Sequence, residues 1–264
     1  NTWLVSRAVR GAGLKVACSG LGGDELFWGY PSFQQVPKVA RWLSRPTVER
    51  VSKIIGAALN AAPAIPRLSR TFDALRAGPD VAALWLAKRG LFSEKEVTEL
   101  LTEAMFSKVS FVDPVERLRG LGIPTNVSFE KQVSFLEMRV YMHDQLLRDT
   151  DAMSMAHGLE VRLPLLSRDM VELAGKIASP VLRSTGPKGL LRRLASRTLS
   201  PDILARPKQG FTLDWQKILL SQSSRPPLPW ISVGALDRER KRLRARPSSY
   251  ARLFALAMLT HKFG

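Results

Sequence analysis

Three stretches carry residue types and spacings that can do chemistry. The first reads Ser19-Gly20-Leu21-Gly22-Gly23-Asp24-Glu25-Leu26-Phe27-Trp28-Gly29-Tyr30. Glycines lack Cβ, so they adopt unusual φ values and let backbone N–H groups approach a phosphate closely. Asp24 and Glu25 follow at once. Together they could hold Mg²⁺ on a polyphosphate, because magnesium takes one or two carboxylates and fills the rest of its shell with phosphate oxygens and water. The same residues also make a tight turn before a capped helix. They match neither the Walker A spacing nor the dinucleotide fingerprint.

The second stretch runs Leu147-Arg148-Asp149-Thr150-Asp151 through Leu159-Glu160-Val161-Arg162-Leu163-Pro164-Leu165-Leu166. Three acids and two arginines stand among apolar residues, and such charges need partners. They make either a structural ion-pair network or a polar cleft holding Asp151 and Glu160. The third group is Gly186-Pro187-Lys188-Gly189-Leu190-Leu191-Arg192 with Arg206-Pro207-Lys208-Gln209-Gly210-Phe211. A lysine beside a phosphate site would stabilise charge on a leaving pyrophosphate. Taken singly, each is also an ordinary basic loop.

The elements around these stretches follow from periodicity. Residues 2–10 read as a helix with Trp3, Leu4, Ala8 and Val9 near one face, ended by Gly11 and Gly13. Residues 14–18 read as one short buried strand. Strand, glycine loop and the following helix form the geometry of a ligand site at the carboxyl end of a parallel sheet. Further helices are expected over 36–59 (broken near Pro46), 81–89, 93–102, 165–177, 188–197 and 250–259, with a shorter one over 114–120. Ser93 and Glu96 have capping-box spacing. The strongest pattern spans 134–148, where Leu136, Val140, His143 and Leu147 share a helical face. Residues 60–66 read as a loop and 225–229 as an extended proline-rich linker. One parallel strand cannot make a sheet, so its partners are expected elsewhere.

Composition narrows the class. The chain has 264 residues, 45% hydrophobic, and a formal charge of +17. That excludes global disorder. No apolar run is long enough for a membrane span. Cys18 is the single cysteine and the three histidines are scattered, so no intramolecular disulfide or cysteine-rich zinc site is expected. A cytoplasmic protein is expected. Residues 192–246 carry 13 basic side chains against 4 acidic ones, densest from Arg238 to Arg246. That run is either a phosphate-binding patch or a solvated face. No zinc-finger spacing or aromatic RNA-binding signature accompanies it, so nucleic acid is not the favoured partner.

The three stretches, in this order, resemble the synthetase domain of glutamine-dependent asparagine synthetases and their relatives. Residues 19–30 look like that family's Ser-Gly-x-Gly-x-Asp-Glu-Leu-Phe-x-Gly-Tyr loop. Residues 151–166 are similar to its Asp-x-x-Ser-Met-Ala-x-x-Leu-Glu-x-Arg-x-Pro-x-Leu stretch, and 188–192 and 206–211 to its basic elements. The resemblance implies an adenine-nucleotide α-hydrolase-like α/β fold, a doubly wound parallel sheet. This chain would be its mainly helical C-terminal part (1–211), followed by a basic extension with a terminal helix (212–264). It implies ATP and Mg²⁺, an aspartate or related carboxylate activated as an acyl-adenylate, and ammonia from an upstream glutaminase domain or partner. A homodimer is compatible with it. Carried over by position, Asp24 would bind Mg²⁺-pyrophosphate and Lys188 would stabilise the leaving group. Glu160 would lie in the acceptor or nucleophile region. Ser19, Gly20, Gly22, Gly23 and Glu25 would complete the nucleotide loop.

The departures have chemical content. The family's other phosphate loop, Ser-Gly-Gly-x-Asp-Ser, is absent from the sequence, as is the glutaminase domain. Both are expected upstream of Asn1, and the fragment alone is expected to be inactive. Asparagine synthetases place a glutamate third in the loop and β-lactam-forming relatives a tyrosine. Leu21 stands here and accepts no proton. The family's usual aspartate is Ser167, and Trp28 replaces a frequent glycine. The alternatives are a β-lactam-synthetase-like or other acyl-adenylating ligase for a different acid, and a non-catalytic homologue whose basic tail binds nucleic acid.

Overall fold

The computed structural model describes residues 1–59, 73–75, 77–108, 112–206, 213–221 and 228–263. They form two compact units: Asn1–Trp42 with Leu118–Phe211, and Leu43–Arg117 with Thr212–Gly264. Residues 212–264, read above as an extension, therefore share a unit with residues 43–117. The expected loop 60–66, the first three residues of the linker at 225–229 and the motif 206–211 beyond Arg206 lie outside the described residues. Most described residues are helical.

The first unit opens with helix Thr2–Gly11 and strand β1, Val16–Cys18. Strand β2, Glu160–Arg162, pairs parallel with β1 in the register Val16↔Glu160, Ala17↔Val161, Cys18↔Arg162. The expectation of one strand is corrected to two among the described residues. β2 escaped notice because its single apolar residue, Val161, stands between two charges. The expectation that β1 is buried is also corrected: Val16 is 42% exposed and Leu14 55%. Successive strand residues alternate faces. A two-strand ribbon half-covers Ala17 and Val161 and leaves Val16, Cys18, Glu160 and Arg162 in the open.

Helix Phe129–Leu136 starts at Ser128, whose side chain accepts from the Lys131 N–H. It runs into a π-helical segment, Glu137–Leu147. This overturns the helical face expected over 134–148. Leu136 is fully buried, but His143 is exposed. In the wider turn, residues five apart align, so Glu137 and Met142 turn inward. Leu26, Phe27, Trp28, Phe33, Val36 and Val133 of the same unit are also buried.

The second unit has its own core, in which Leu100, Leu219, Leu228, Ile231, Leu243 and Leu253 are buried. Helix Glu94–Leu100 begins with the expected capping box between Ser93 and Glu96. The Thr102 N–H donates to the Trp230 carbonyl, and Ser232 N–H to that of Leu100. The densest basic run forms helix Val233–Ala245. Its arginines meet acids: Arg238 with Glu99 at 3.5 Å, Arg240 with Asp237 at 3.0 Å, and Arg242 with Glu239 at 3.1 Å. Arg252, on helix Tyr250–Phe263, reaches Glu96 at 2.9 Å and Glu239 at 2.7 Å and lies 4.0 Å over the Phe92 ring. Among the described residues, no helix is long and apolar enough to cross a membrane.

Candidate functional site

The glycine loop leaves the carboxyl end of β1. The Ser19 N–H extends the ladder by donating to the Arg162 carbonyl at 2.9 Å. Ser19 Oγ accepts from Leu21 N–H at 3.4 Å, and Gly23 N–H donates to the Gly20 carbonyl at 3.3 Å. Gly22 takes φ +95°, a left-handed value that favours glycine. A Cβ there would come within 2.6 Å of Leu166, and one on Gly23 within 3.1 Å of Leu165. These two glycines make room for apolar side chains that follow β2. Gly20 borders open space.

A four-residue helix, Gly23–Leu26, carries the two acids in opposite senses. Glu25 is 1% exposed. Its Oε2 accepts from the Gly22 N–H at 3.1 Å and its Oε1 from the Tyr30 hydroxyl at 2.5 Å. Burial pushes the Glu25 carboxyl above the ordinary range, and the Tyr30 hydrogen bond opposes that shift. Burial and the Glu25 carboxylate together push the Tyr30 phenol up. Asp24 is partly exposed. Its carbonyl accepts from Gly29 N–H at 2.7 Å, and its Oδ1 occupies the space a Cβ on Gly29 would need.

Lys188 comes to Asp24 from far along the chain. Its Nζ lies 3.1 Å from Asp24 Oδ1. Its backbone N–H donates to the Phe27 carbonyl at 2.9 Å. It sits in the left-handed region at φ +53°, directly before helix Gly189–Ala195. Trp28, next to the accepting carbonyl, is also left-handed at φ +55°. It is buried and stacked on Phe33 with ring centroids 5.8 Å apart. A left-handed bulky residue is uncommon, costs on the order of 1–3 kcal/mol, and persists only where its surroundings over-determine it. Here the stacking and the Phe27–Lys188 bond do so.

The structure thus gathers Ser19, Gly20, Gly22, Gly23, Asp24 and Lys188 at one end of the ribbon. Glu25 faces inward. Glu160 pairs with Val16, at the far end of the ribbon, and its carboxylate meets Arg162 at 2.8 Å in the open. Asp151 is exposed on helix Arg148–Met155. Sequence reasoning gave Tyr30 and the Phe27 carbonyl no role. The signal for Tyr30 was an acid, Glu25, directly before the apolar run Leu26-Phe27-Trp28, which had to find a donor.

The donor set suits a hard cation delivered with phosphate. Asp24 offers one partly exposed carboxylate, with its Oδ1 buried, and Lys188 one ammonium beside it. Among the described residues, no three His, Cys, Asp or Glu side chains gather to hold a metal by themselves. Magnesium needs no such cage when phosphate oxygens fill its shell.

No solved structure matches the chain significantly. The chain is similar to asparagine synthetase [glutamine-hydrolyzing] 1 of Bacillus subtilis, 27% identical over 199 residues, covering 74% of this chain and 30% of the relative. It is also similar to the putative asparagine synthetases [glutamine-hydrolyzing] of Mycobacterium bovis and Mycobacterium tuberculosis, 25% identical over 217 residues and covering 75% of this chain and 29% of each. The chain therefore spans about 30% of the length of the curated relatives it matches. The family model for asparagine synthase matches residues 1–258, which takes in the glycine loop, both strands and Lys188, and so the chain belongs to the asparagine synthase family.

Proposed function

We propose that this chain is the C-terminal part of an ATP-dependent carbon–nitrogen ligase that converts a carboxylate, aspartate or a related acid, into its amide. The observation that carries the reading is the Asp24–Lys188 pair at the carboxyl end of a parallel strand. In open α/β sheets that end of the strands is where ligands bind. The parent fold would be the doubly wound, adenine-nucleotide α-hydrolase-like sheet, with β1 and β2 as two of its strands. Residues outside this sequence would supply the second phosphate loop and the glutaminase domain that releases ammonia. The exposed single thiol, Cys18, accords with a cytoplasmic enzyme.

ATP would supply an adenylyl group that turns the acid into an acyl-adenylate, with Mg²⁺ screening the pyrophosphate that leaves. Asp24 would hold the cation. The Lys188 ammonium, fixed by its left-handed backbone and the Phe27 carbonyl, would stabilise charge growing on the leaving oxygen. Ser19 and the loop glycines would border the nucleotide. Glu160, at the other end of the ribbon and paired with Arg162, would take no direct part beside Asp24 and Lys188.

One observation favours a second reading within the same class. Leu21, half-buried in the loop, has no group to take a proton from an incoming ammonium. An acid other than aspartate, as in β-lactam-forming relatives, is the alternative. ATP–pyrophosphate exchange by the full-length protein, run against a panel of acids, tests both. Exchange with aspartate alone removes the alternative. Exchange with another acid removes the name, and exchange with no acid removes the ligase.

A further inference from the structure

The loop that carries Asp24 is tied shut by a pair of side chains outside the proposed reaction. Glu25 is buried beneath it, taking the Gly22 N–H on one oxygen and the Tyr30 hydroxyl on the other. Gly22 and Tyr30 are the two ends of the segment on which Asp24 sits. The Asp24 carbonyl is bonded to Gly29, and its carboxylate lies against Gly29. Glu25 therefore joins the ends of a ring that carries the partly exposed Asp24 carboxylate, whose Oδ1 is turned inward beside the Lys188 ammonium.

Tyr30 is itself held. Its ring meets the edge of Tyr141 at 5.7 Å between centroids and 83° between planes. Tyr141 belongs to the π-helical segment Glu137–Leu147, and such segments often mark functional positions. Two residues beyond Tyr30, the Ser32 hydroxyl donates to the buried Glu137 at 2.6 Å. The Ser134 hydroxyl donates to the Glu25 carbonyl at 3.3 Å. Helix Phe129–Leu136 and the π-helical segment thus anchor the ring at two points and the chain just beyond it at a third.

We propose that Tyr30 is a positioning residue for Asp24, acting through Glu25 to set the carboxylate where a magnesium pyrophosphate would meet it. The proposal rests on the site reading above. A buried carboxylate that loses a donor is left poorly satisfied and turns to find another. Removing the Tyr30 hydroxyl would release Glu25 from Gly22 and let Asp24 swing. Lys188 is fixed separately, through Phe27, and would stay in place.

Calorimetry of pyrophosphate binding to the full-length protein, with and without Mg²⁺, tests it. Tyr30→Phe is expected to lose roughly tenfold of the Mg²⁺-dependent gain in affinity and to leave Mg²⁺-free binding unchanged. In a Glu25→Gln background the same substitution should cost much less, because the carboxylate through which Tyr30 acts is already gone. Equal losses with and without Mg²⁺, or a fall in thermal stability alone, would make Tyr30 a merely structural residue and overturn the proposal. Additive effects of the two substitutions would overturn it too. Should Tyr30→Phe fail to fold, Tyr141→Leu removes only the edge contact and should lower the Mg²⁺-dependent gain several-fold; an unchanged gain contradicts the proposal. Asp24→Asn separates the two readings. If it keeps the Mg²⁺-dependent gain, the metal site itself is wrong, whatever Tyr30 does.

Discussion

The Lys188 ammonium lies 3.1 Å from Asp24 Oδ1 while the Lys188 amide holds the Phe27 carbonyl at 2.9 Å. Side chain and backbone of one residue thus grip the same loop. The backbone grip requires φ +53°, which a lysine adopts only at a cost.

That cost gives two substitutions opposite signatures. Lys188→Gly relieves the left-handed backbone and should raise stability by about 1 kcal/mol, read by thermal unfolding. Lys188→Ala keeps the strain and gains nothing. Both should slow adenylation far more than they weaken ATP binding, because the ammonium meets charge that grows only as pyrophosphate leaves. If Lys188→Ala leaves the exchange rate intact, the lysine has no part in the chemistry.

Asp24→Asn should abolish Mg²⁺-dependent pyrophosphate exchange with little change in unfolding temperature, since Asp24 is partly exposed. Gly29→Ala tests the same group without replacing it. Its methyl would enter the space of the Asp24 carboxylate, so it should weaken Mg²⁺-dependent binding. A Gly29→Ala protein with native magnesium response would mean that the Asp24 carboxylate points elsewhere in solution.

Trp28 combines strain with burial, and magnitudes decide between them. Its left-handed backbone costs about 1–2 kcal/mol. Removing a buried tryptophan side chain costs about 3–5 kcal/mol. Trp28→Gly should therefore destabilise the protein by roughly 1–4 kcal/mol, measured by urea unfolding. A more stable variant would show that the stack on Phe33 contributes little.

The second unit should respond to acid. Burial alone would raise the Glu96 carboxyl, but hydrogen bonds from Arg252 and Ser93 and the Arg252 charge outweigh it and hold the carboxyl below the ordinary range. A carboxyl lowered by folding stabilises the fold above its unfolded pKa, about 4.3. That contribution is lost as the pH falls through the folded value. Stability should therefore be level from neutral pH to about 5 and decline below about 4.3. Glu96→Gln should lose about 3–5 kcal/mol at pH 7, with a shallower acid decline. An unchanged decline would assign the acid sensitivity to other groups.

How much was legible depends on whether the signal was local. The turn at Gly22, the capping box at Ser93 and the helix over 81–89 are written in a few consecutive residues, and the structure has all three. β2 was not legible, because Glu160-Val161-Arg162 becomes a strand only beside Val16-Ala17-Cys18. The 134–148 face failed because a 3.6-residue period was applied to a segment that widens at Glu137. Asp24 and Lys188 were each found by type. Their 3.1 Å separation, and the inward turn of Glu25 next to Asp24, are properties of packing that no spacing states.

The most direct test of the central claim follows oxygen. The full-length protein would be given its acceptor acid labelled with ¹⁸O in the reacting carboxylate, with ATP and ammonia. In the proposed reaction a carboxylate oxygen attacks the α-phosphorus, pyrophosphate leaves, and ammonia then displaces AMP. One ¹⁸O should appear in AMP by mass spectrometry, and Lys188→Ala should form that product far more slowly. Label in inorganic phosphate, with ADP as the nucleotide product, would mean activation at the γ-phosphorus and would contradict the account.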